Sequence, residues 1–133
     1  MATSLKKPVR DYIDVDFSFA KHPLSDNVST KKNINAVKQS IKHLLLLRSG
    51  DKPFHPEIKS PIYDYLFENG SAVVQVVLEG EVRKYLGVYE NRIQVTYVKV
   101  SYPSPNELRC EVAGTIINLQ EPFTVSILVE RLR

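Results

Sequence analysis

The chain has 133 residues, of which 43% are apolar and 25% charged, so it is long enough for one folded domain and too apolar for a disordered chain. No apolar run reaches the ~20 residues of a transmembrane helix, and we expect no secretion signal because the N-terminus has no apolar segment. The net charge is +3, but the lysines and arginines do not interleave with aromatic residues, which argues against a nucleic-acid-binding protein.

The first predicted element is a strand in the segment YIDVDFSFA, where apolar and polar residues alternate. A period of two places the apolar side chains on one face, which we expect to be buried. Residues 1–10 precede it as a predicted flexible tail, and residues 11–133 form the predicted single domain. The polar segment KHPLSDNVSTKKN that follows predicts a loop, interrupted by Pro23. The residues of the expected buried face are Ile13, Val15, Phe17 and Phe19.

A first helix is predicted in NINAVKQSIKHLLLLRSG, because its apolar residues recur at helical spacing. Asn33 is expected to cap the start of this helix, and Gly50 is expected to end it with a positive φ. The predicted buried stripe consists of Ile34, Val37, Ile41, Leu44 and Leu45.

The segment GDKPFHPEIKSPIYDYLFE, named here the elbow (residues 50–68), contains Pro53, Pro56 and Pro61. Each proline fixes its own φ and restricts the residue before it, so the elbow is predicted to be a stiff extended loop. Pro61 also suits the first turn of a short second helix, with Ser60 as its cap. The side chains expected to hold the elbow against the core are Phe54, Ile62, Leu66 and Phe67.

A third helix is predicted in SAVVQVVLEGEVRKYL, with Ser71 as its N-cap. Gly80 lowers helix propensity by up to about 1 kcal/mol relative to alanine, which predicts either a close neighbour or a weak point there. The residues of the expected buried side are Val74, Leu78, Val82, Tyr85 and Leu86.

Three strands are predicted after the helices, because the apolar period changes to two. In RIQVTYVKVSY the phase changes after Tyr97, which predicts a bulge or a strand covered on both faces, whereas ELRCEVAGTIINL and FTVSILVERLR alternate. Short connections between them predict an antiparallel meander. The predicted fold class is therefore α+β, with an N-terminal strand, three helices, and a three-stranded antiparallel meander that carries the helices on one face.

The residue types that carry catalysis do not form a recognisable active site. Glu57 and Glu68 could be the acid and base of a hydrolase, but we expect both on exposed segments, and the chain has no tryptophan to stack on a sugar. The three histidines lack metal-binding spacing, and Cys110, the only cysteine, lies in an alternating run typical of a core position. We therefore predict no enzymatic activity, no catalytic residue, no cofactor and no metal.

Two regions are candidates for binding another protein. Where the third helix meets the first meander strand, Glu90, Asn91 and Arg92 could present a carboxylate and a guanidinium to a partner, or they could form a solvated turn. The final strand could be a sheet edge that accepts a strand from another chain, or Arg131 and Arg133 could guard that edge. The residues of the final strand assigned to this partner site are Phe123, Val125, Ile127 and Val129.

The runs YIDVDFSF, VKQSIKHLLLLRSGDKPFHPEIKSPIYDYLFEN and YENRIQV resemble the short baseplate wedge proteins of contractile phage tails. Some members of that family have been labelled lysozyme-like, and related subunits occur in type VI secretion baseplates. The resemblance extends over residues 12–130. The signature of the family at the joint is Glu-Pro-Arg. Glu90 and Arg92 match it, whereas Asn91 stands in place of the proline.

The resemblance implies a structural role in the baseplate of a virion tail, assembled in the host cytoplasm. It implies that the chain docks in the wedge and templates the first ring of tail sheath, whose subunits exchange strands with a small C-terminal sheet. The implied partners are other baseplate wedge proteins, the tail sheath protein, and the tail tube or hub, with no nucleic acid and no membrane. A peptidoglycan-degrading tail enzyme and a small basic nucleic-acid-binding protein stay open as alternatives.

Overall fold

Two short strands, three helices and three longer strands follow one another in the computed structural model, which describes residues 11–66 and 68–130. In chain order they are β1 (Ile13–Val15), β2 (Thr30–Lys32), α1 (Asn33–Leu46), α2 (Ile62–Tyr65), α3 (Ala72–Tyr89), β3 (Ile93–Ser104), β4 (Glu107–Ile116) and β5 (Pro122–Glu130). β1 and β2 form an antiparallel hairpin, and β3, β4 and β5 form a separate antiparallel sheet in that order. The predicted α+β fold with a C-terminal meander is confirmed. The predicted tail, residues 1–10, lies outside the described residues.

The core lies between the helices and one face of the three-stranded sheet. In β5 every second side chain is buried and the ones between are exposed, as a period of two requires. α3 packs against β3 and α1 packs against β5, so the predicted placement of the helices is confirmed. The bulge in β3 is confirmed as well, because its pairing with β4 shifts between Val95 and Tyr97. The sheet side chains of the core are Ile93, Val98, Val100, Leu108, Cys110, Val112, Ile116, Phe123, Val125, Ile127 and Val129.

Helix α3 begins and packs as predicted. Ser71 Oγ accepts a hydrogen bond from the amide of Val74 at 3.3 Å and so caps the helix. The hydroxyl of Tyr85 donates to the carbonyl oxygen of Leu44 at 2.9 Å, which fixes α3 against α1. Gly80 has no close neighbour, since a Cβ built there would meet no atom within 4 Å. Of the predicted buried side, Val74 is half-buried and four residues are buried: Leu78, Val82, Tyr85 and Leu86.

The N-terminal strand is shorter than predicted and buries the opposite face. β1 covers three residues and pairs with β2, which falls in the segment predicted to be a loop. The prediction that the apolar residues form the buried face was wrong. The alternate residues, which include Tyr12 and Asp14, face the rest of the protein and make the contacts. Tyr12 packs against the core, and Asp14 accepts a hydrogen bond from Arg92. The residues that are half exposed or more, against the prediction, are Ile13, Val15, Phe17 and Phe19.

Helix α1 buries Val37, Ile41 and Leu45 of the predicted stripe and leaves Ile34 and Leu44 half-buried, and it begins and ends differently from the prediction. Asn33 does not cap it. Instead Asn33 Oδ1 accepts a hydrogen bond from the amide of Tyr12 at 3.2 Å, and the Asn33 amide donates to the Tyr12 carbonyl oxygen at 2.6 Å. This exchange ties the hairpin to the start of α1. Gly50 has the predicted positive φ, at 87°, but the helix has already ended at Leu46.

The elbow is a series of tight turns, and the prediction of an extended loop was wrong. The amides of Asp51, His55 and Ile58 each donate to the carbonyl oxygen three residues earlier. Pro53 and Pro56 each occupy the second position of one of these turns, which their fixed φ suits, so the prolines favour turns here instead of an extended path. The amide of Ser60 donates to the carbonyl oxygen of Leu47 at 2.8 Å, so the last part of the elbow is fixed to the end of α1.

The contacts between the elbow and the core are partly as predicted. Ser60 Oγ accepts a hydrogen bond from the amide of Ile62 at 3.3 Å, at the start of the short helix α2. Ile62 and Leu66 are buried as predicted. Phe54 is 98% exposed, because it lies in a turn with a φ of 64° that directs its side chain to solvent. Phe67 lies outside the described residues.

Gly114 provides a test of the close approach between β3 and β4. A Cβ at Gly114 would overlap the carbonyl oxygen of Gln94 and would lie 3.0 Å from the Cα of Val95. Both neighbours are backbone atoms of β3, so they cannot rotate away. We expect Gly114→Ala to lower the free energy of unfolding by roughly 1–3 kcal/mol, measured by urea denaturation.

The matched control is Gly87→Ala in α3, where a Cβ would meet no atom within 4 Å. There alanine is expected to raise the free energy of unfolding by up to about 1 kcal/mol. A Gly114→Ala protein as stable as the wild type would show that the two strands have room for a methyl group.

Candidate functional site

The joint between α3 and β3 holds a two-point ion pair between Glu90 and Arg92. Arg92 Nε donates to Glu90 Oε1 at 2.8 Å, and Arg92 Nη2 donates to Glu90 Oε2 at 2.9 Å. The backbone amide of Arg92 also donates to Oε1, at 3.3 Å. Two parallel hydrogen bonds fix the plane of the guanidinium relative to the carboxylate. The pair therefore closes the turn between the helix and the strand.

Side chains from two distant parts of the chain complete this network. Ser40 on α1 donates its hydroxyl to Glu90 Oε2 at 2.6 Å. Asp14 on β1 accepts a hydrogen bond from Arg92 Nη1 at 3.2 Å through Oδ2. The guanidinium carbon of Arg92 also lies 5.5 Å from the centre of the Tyr12 ring, which is within the range of a cation–π contact. The network joins the hairpin, α1, α3 and β3.

The ion pair between Glu90 and Arg92 is largely shielded from solvent. The side chain of Glu90 is 4% exposed and that of Arg92 is 20% exposed. Burial alone would raise the pKa of Glu90, but hydrogen bonds from Arg92 and Ser40 outweigh it, so the pKa of Glu90 lies below its ordinary value. The hydrogen bonds with Glu90 raise the pKa of Arg92. Both groups stay charged at neutral pH, and the carboxylate of Glu90 accepts its hydrogen bonds from Arg92 and Ser40 within the protein.

The predicted partner triad is brought together at this joint, with a different role for each residue. Glu90 is buried, Arg92 is half-buried and Asn91 is exposed. The backbone of Glu90 is extended, at φ −127° and ψ 93°, although no proline follows it. Asn91 in the middle position is therefore compatible with a closed ion pair. Binding of a partner by these three residues stays a prediction.

Sequence reasoning missed three members of the network: Asp14, Ser40 and Tyr12. Asp14 lies 78 positions from Arg92, and Ser40 lies 50 positions from Glu90. No spacing rule connects residues so far apart, because only the packing of the hairpin and α1 against the joint brings them together. The one available signal is Asp14 itself, an acidic residue in the alternating segment YIDVDFSFA.

The second predicted partner site is β5, an outer strand with β4 on one side. The side chains of the four residues assigned to this site are 1–7% exposed and belong to the core. A partner could therefore not contact these four side chains, and would have to use the strand backbone or the exposed side chains between them. The four buried residues are Phe123, Val125, Ile127 and Val129.

The direction of the β5 backbone groups follows from the turn before the strand. The amide of Ile116 donates to the carbonyl oxygen of Glu121 at 2.9 Å, so these two residues form a hydrogen-bonded pair. Bonded and non-bonded pairs alternate in an antiparallel ladder, so the next bonded pair is Gly114 with Phe123. The backbone groups of the four buried residues therefore point towards β4. The residues whose amide and carbonyl groups point outward are Thr124, Ser126 and Leu128.

The opposite edge of the sheet, on β3, is covered by side chains of α3. Glu79 Oε1 accepts a hydrogen bond from the amide of Val100 at 3.0 Å, and Arg83 Nη2 donates to the carbonyl oxygen of Thr96 at 3.0 Å. If the same alternation of bonded and non-bonded pairs is continued across β4 to β3, the amide of Val100 should point away from β4. The hydrogen bond from this amide to Glu79 agrees, which supports the assignment of outward groups on β5. On β5, no group among residues 11–66 and 68–130 hydrogen-bonds the outward backbone of residues 124, 126 or 128.

The residues considered for catalysis are either exposed on the surface or buried in the core. Glu57 and Glu68 are exposed. The backbone amide of Glu57 and the ring of His55, with Nδ1 3.0 Å away, lower the pKa of the Glu57 carboxyl, which is the reverse of what a general acid needs. Cys110 is buried as predicted, and burial raises the pKa of its thiol to about 12.

The described residues offer no metal site and no membrane span. No group of three or more histidine, cysteine, aspartate or glutamate side chains in residues 11–66 and 68–130 is placed to hold a metal ion. In the same part of the chain, no helix is both long and apolar enough to cross a membrane.

Residues 32–121 match the protein family described as baseplate wedge protein gp25. The match runs from the end of β2 to the turn before β5, so it includes Ser40, Glu90 and Arg92. Over 89 residues the chain is 29% identical to the baseplate wedge protein gp25 of Enterobacteria phage T4, an alignment that covers 67% of each protein.

Two solved structures share the fold. One is the cryo-EM structure of the anti-feeding prophage baseplate, with a TM-score of 0.69, 18% identity, and coverage of 81% of this chain and 87% of the other. The other is a crystal structure from Geobacter sulfurreducens, described provisionally as a tail lysozyme. It has a TM-score of 0.66, 19% identity, and coverage of 74% of this chain and 91% of the other. At these identities the likeness is one of fold alone.

The buried ion pair predicts a large effect of removing its cation. Arg92→Met keeps much of the side-chain volume but leaves the Glu90 carboxylate buried without its main partner. We expect the free energy of unfolding to fall by roughly 3–5 kcal/mol in urea denaturation. The control is Arg109→Met, at an exposed position of β4, which is expected to change it by no more than about 0.5 kcal/mol. Equal effects of the two substitutions would contradict the internal role of Arg92.

The lowered pKa of Glu90 predicts how stability depends on pH. A carboxyl with a lowered folded-state pKa stabilises the fold fully above its ordinary pKa of about 4.3, and this contribution is lost as the pH falls through the lowered value. The free energy of unfolding should therefore fall more steeply in acid for the wild type than for Glu90→Gln, which cannot lose that charge. Glu121→Gln, at an exposed position, should follow the wild type. Parallel curves for wild type and Glu90→Gln would rule out the assigned stabilisation.

Proposed function

Since the chain belongs to the family of the baseplate wedge protein gp25, we propose that it docks among the wedge proteins of a contractile-tail baseplate and templates the first ring of tail sheath. In this proposal the joint at Glu90–Arg92 faces other wedge subunits, and the outer edge of β5 receives a strand from the sheath protein. The tail tube or hub is a further neighbour. The role is structural and involves no covalent chemistry.

The observation that carries the sheath role is the difference between the two edges of the sheet. Glu79 and Arg83 occupy backbone groups of β3, whereas the outward groups of β5 have no partner among the described residues. An edge strand with unpaired amides and carbonyls can add a strand from another chain. Alternate residues of β5 have different roles. The buried side chains hold the strand in the core, while the amides and carbonyls of the residues between them remain available for pairing.

The proposal defines which residues meet the incoming strand. Thr124, Ser126 and Leu128 supply the amides and carbonyls, and their side chains lie on the exposed face of the sheet. Pro122 at the start of β5 has no amide hydrogen, so it limits pairing at that end. Phe123, Val125, Ile127 and Val129 contribute indirectly, because their burial sets the phase of the strand.

The wedge role rests on the rigidity of the joint. The two-point ion pair and the hydrogen bond from Ser40 hold Glu90 in one position, so exposed Asn91 and the accessible part of Arg92 are presented in a fixed geometry. Fixed geometry reduces the ordering cost of binding. Asn91 and Arg92 therefore make the direct contact with a wedge subunit, while Glu90 positions Arg92.

The observations do not favour a peptidoglycan-degrading enzyme. Such an enzyme needs a carboxyl with a raised pKa close to a second carboxylate. The Glu57 carboxyl has a lowered pKa and lies on the exposed elbow. The name of the Geobacter sulfurreducens protein does not extend to this chain, since the two share a fold at 19% identity.

Ser126→Pro tests the proposed edge. Proline removes the outward amide hydrogen of β5 without removing a hydrogen bond to β4, and edge strands tolerate it. Baseplates complemented with this variant should assemble and carry no sheath ring in negative-stain electron microscopy. Ser126→Ala keeps the amide and should give sheathed tails. Deleting the strand would be a poorer test, because it removes four core side chains.

The fold of each variant is checked by hydrogen exchange of the β4–β5 ladder. Sheathed tails assembled from a Ser126→Pro protein with a protected ladder would exclude strand addition at this edge. Loss of whole baseplates with both Ser126 variants would place the position in wedge assembly instead.

A further inference from the structure

A groove of about 1080 Å³ lies between α1, the β1–β2 hairpin and the elbow. Four lysines line it, Lys31, Lys38, Lys42 and Lys52, and we name it the lysine groove. None of its lining residues is on β5, so it is distinct from the proposed sheath site. Its walls are held in place, since Gln39 on α1 donates to the carbonyl oxygen of Val15 at 2.8 Å and accepts from the amide of Phe17 at 3.2 Å.

No lysine of the groove forms a close ion pair within the described part of the chain, and the carboxylates of Asp16 near Lys31 and Glu57 near Lys52 act on them only at longer range. None of the four lysines lies within 4.0 Å of a carboxylate oxygen there. The one acidic residue in the lining, Asp51, accepts a hydrogen bond from the amide of Arg48 at 2.9 Å and closes a turn of the elbow. Four ammonium groups around one groove attract a negatively charged partner.

The floor of the lysine groove is apolar. Phe17 and Leu46 are exposed large side chains that line it, and buried Leu47 and Ile58 lie beneath. Phe17 is held in place by the ring of His43, with 4.8 Å between the ring centres. An apolar floor inside a charged rim is typical of sites that bind amphipathic protein segments.

We infer that the lysine groove binds a segment of another protein that combines acidic residues with large apolar side chains. The carboxylates of the segment pair with the lysines, and its apolar side chains cover Phe17 and Leu46. The terminal segments of this chain do not have the required charge. Residues 1–10, MATSLKKPVR, and residues 131–133, RLR, contain basic residues and no acidic ones. Charge complementarity therefore excludes these two segments and favours an acidic segment of a partner protein.

The full-length protein is tested with a short fluorescein-labelled peptide of alternating glutamate and leucine, followed by fluorescence anisotropy. The peptide should bind at low ionic strength and weaken as salt is added. Lys42→Glu/Lys52→Glu should weaken binding by roughly tenfold or more. The charge-matched control, Lys84→Glu/Lys99→Glu, changes two exposed lysines outside the groove and should bind within about twofold of wild type.

A second pair of variants tests the apolar floor. Leu46→Gln should weaken binding, whereas Val73→Gln, at an exposed position of α3 outside the groove, should not. A polyglutamate peptide without leucine should bind more weakly than the mixed peptide. The assignment would be overturned if the peptide did not bind at low salt, or if the two double-lysine variants lost equal amounts of affinity. It would also be overturned if a thymidine oligonucleotide bound more tightly than the peptide. The test uses isolated protein, so its result does not depend on sheath assembly.

Discussion

The buried ion pair between Glu90 and Arg92 is the interaction on which the arrangement of the whole chain depends. A carboxylate that is 4% exposed is tolerated only because three groups donate to it, the guanidinium, the amide of Arg92 and the hydroxyl of Ser40. Two of these donors belong to Arg92, across the turn between α3 and β3, and the third belongs to Ser40 on α1. Arg92 also receives the amide of Ile117 on its carbonyl oxygen at 2.9 Å, so the turn before β5 is fixed to the same point. Moving α1 or the turn between α3 and β3 would leave the buried carboxylate without some of its partners.

The sheet built on this joint has two unlike edges. Helix α3 runs beside β3 and supplies Glu79 and Arg83 to its backbone, while β5 keeps its outward backbone open within the described residues. Open edges carry a risk of aggregation that proteins ordinarily reduce with charges, prolines or covering elements. Retaining one open edge next to one covered edge is consistent with a protein that adds a strand from a specific partner. The exposed face of β5 carries Thr124 and Ser126 beside Leu128, which is 46% exposed.

The proposed contacts use different residues, and the lysine groove borders the wedge contact through Tyr89 at the end of α3. Strand addition uses the β5 backbone, wedge docking uses the turn at Asn91, and the lysine groove uses α1, the hairpin and the elbow. The ion pair network connects the rigid elements that carry them, since Asp14 belongs to the hairpin and Ser40 to α1. A small protein with several sites on one rigid frame is suited to holding neighbouring subunits at fixed relative positions.

The sequence by itself determined the elements whose periodicity is long and regular. The meander, α1, α3 and the buried side of β5 follow from the alternation and helical spacing of residues such as Ile41, Leu78 and Val125, because each buried face needs only the local pattern. Tertiary structure alone decided the rest. It reversed the buried face of β1, because Asp14 and Tyr12 gained partners 78 and 21 positions away. It turned Glu90 inward and left the outward backbone of β5 with Thr124, Ser126 and Leu128. These outcomes depend on which distant side chains come into contact and on the register in which the strands pair. The spacing of residues within a single segment specifies neither.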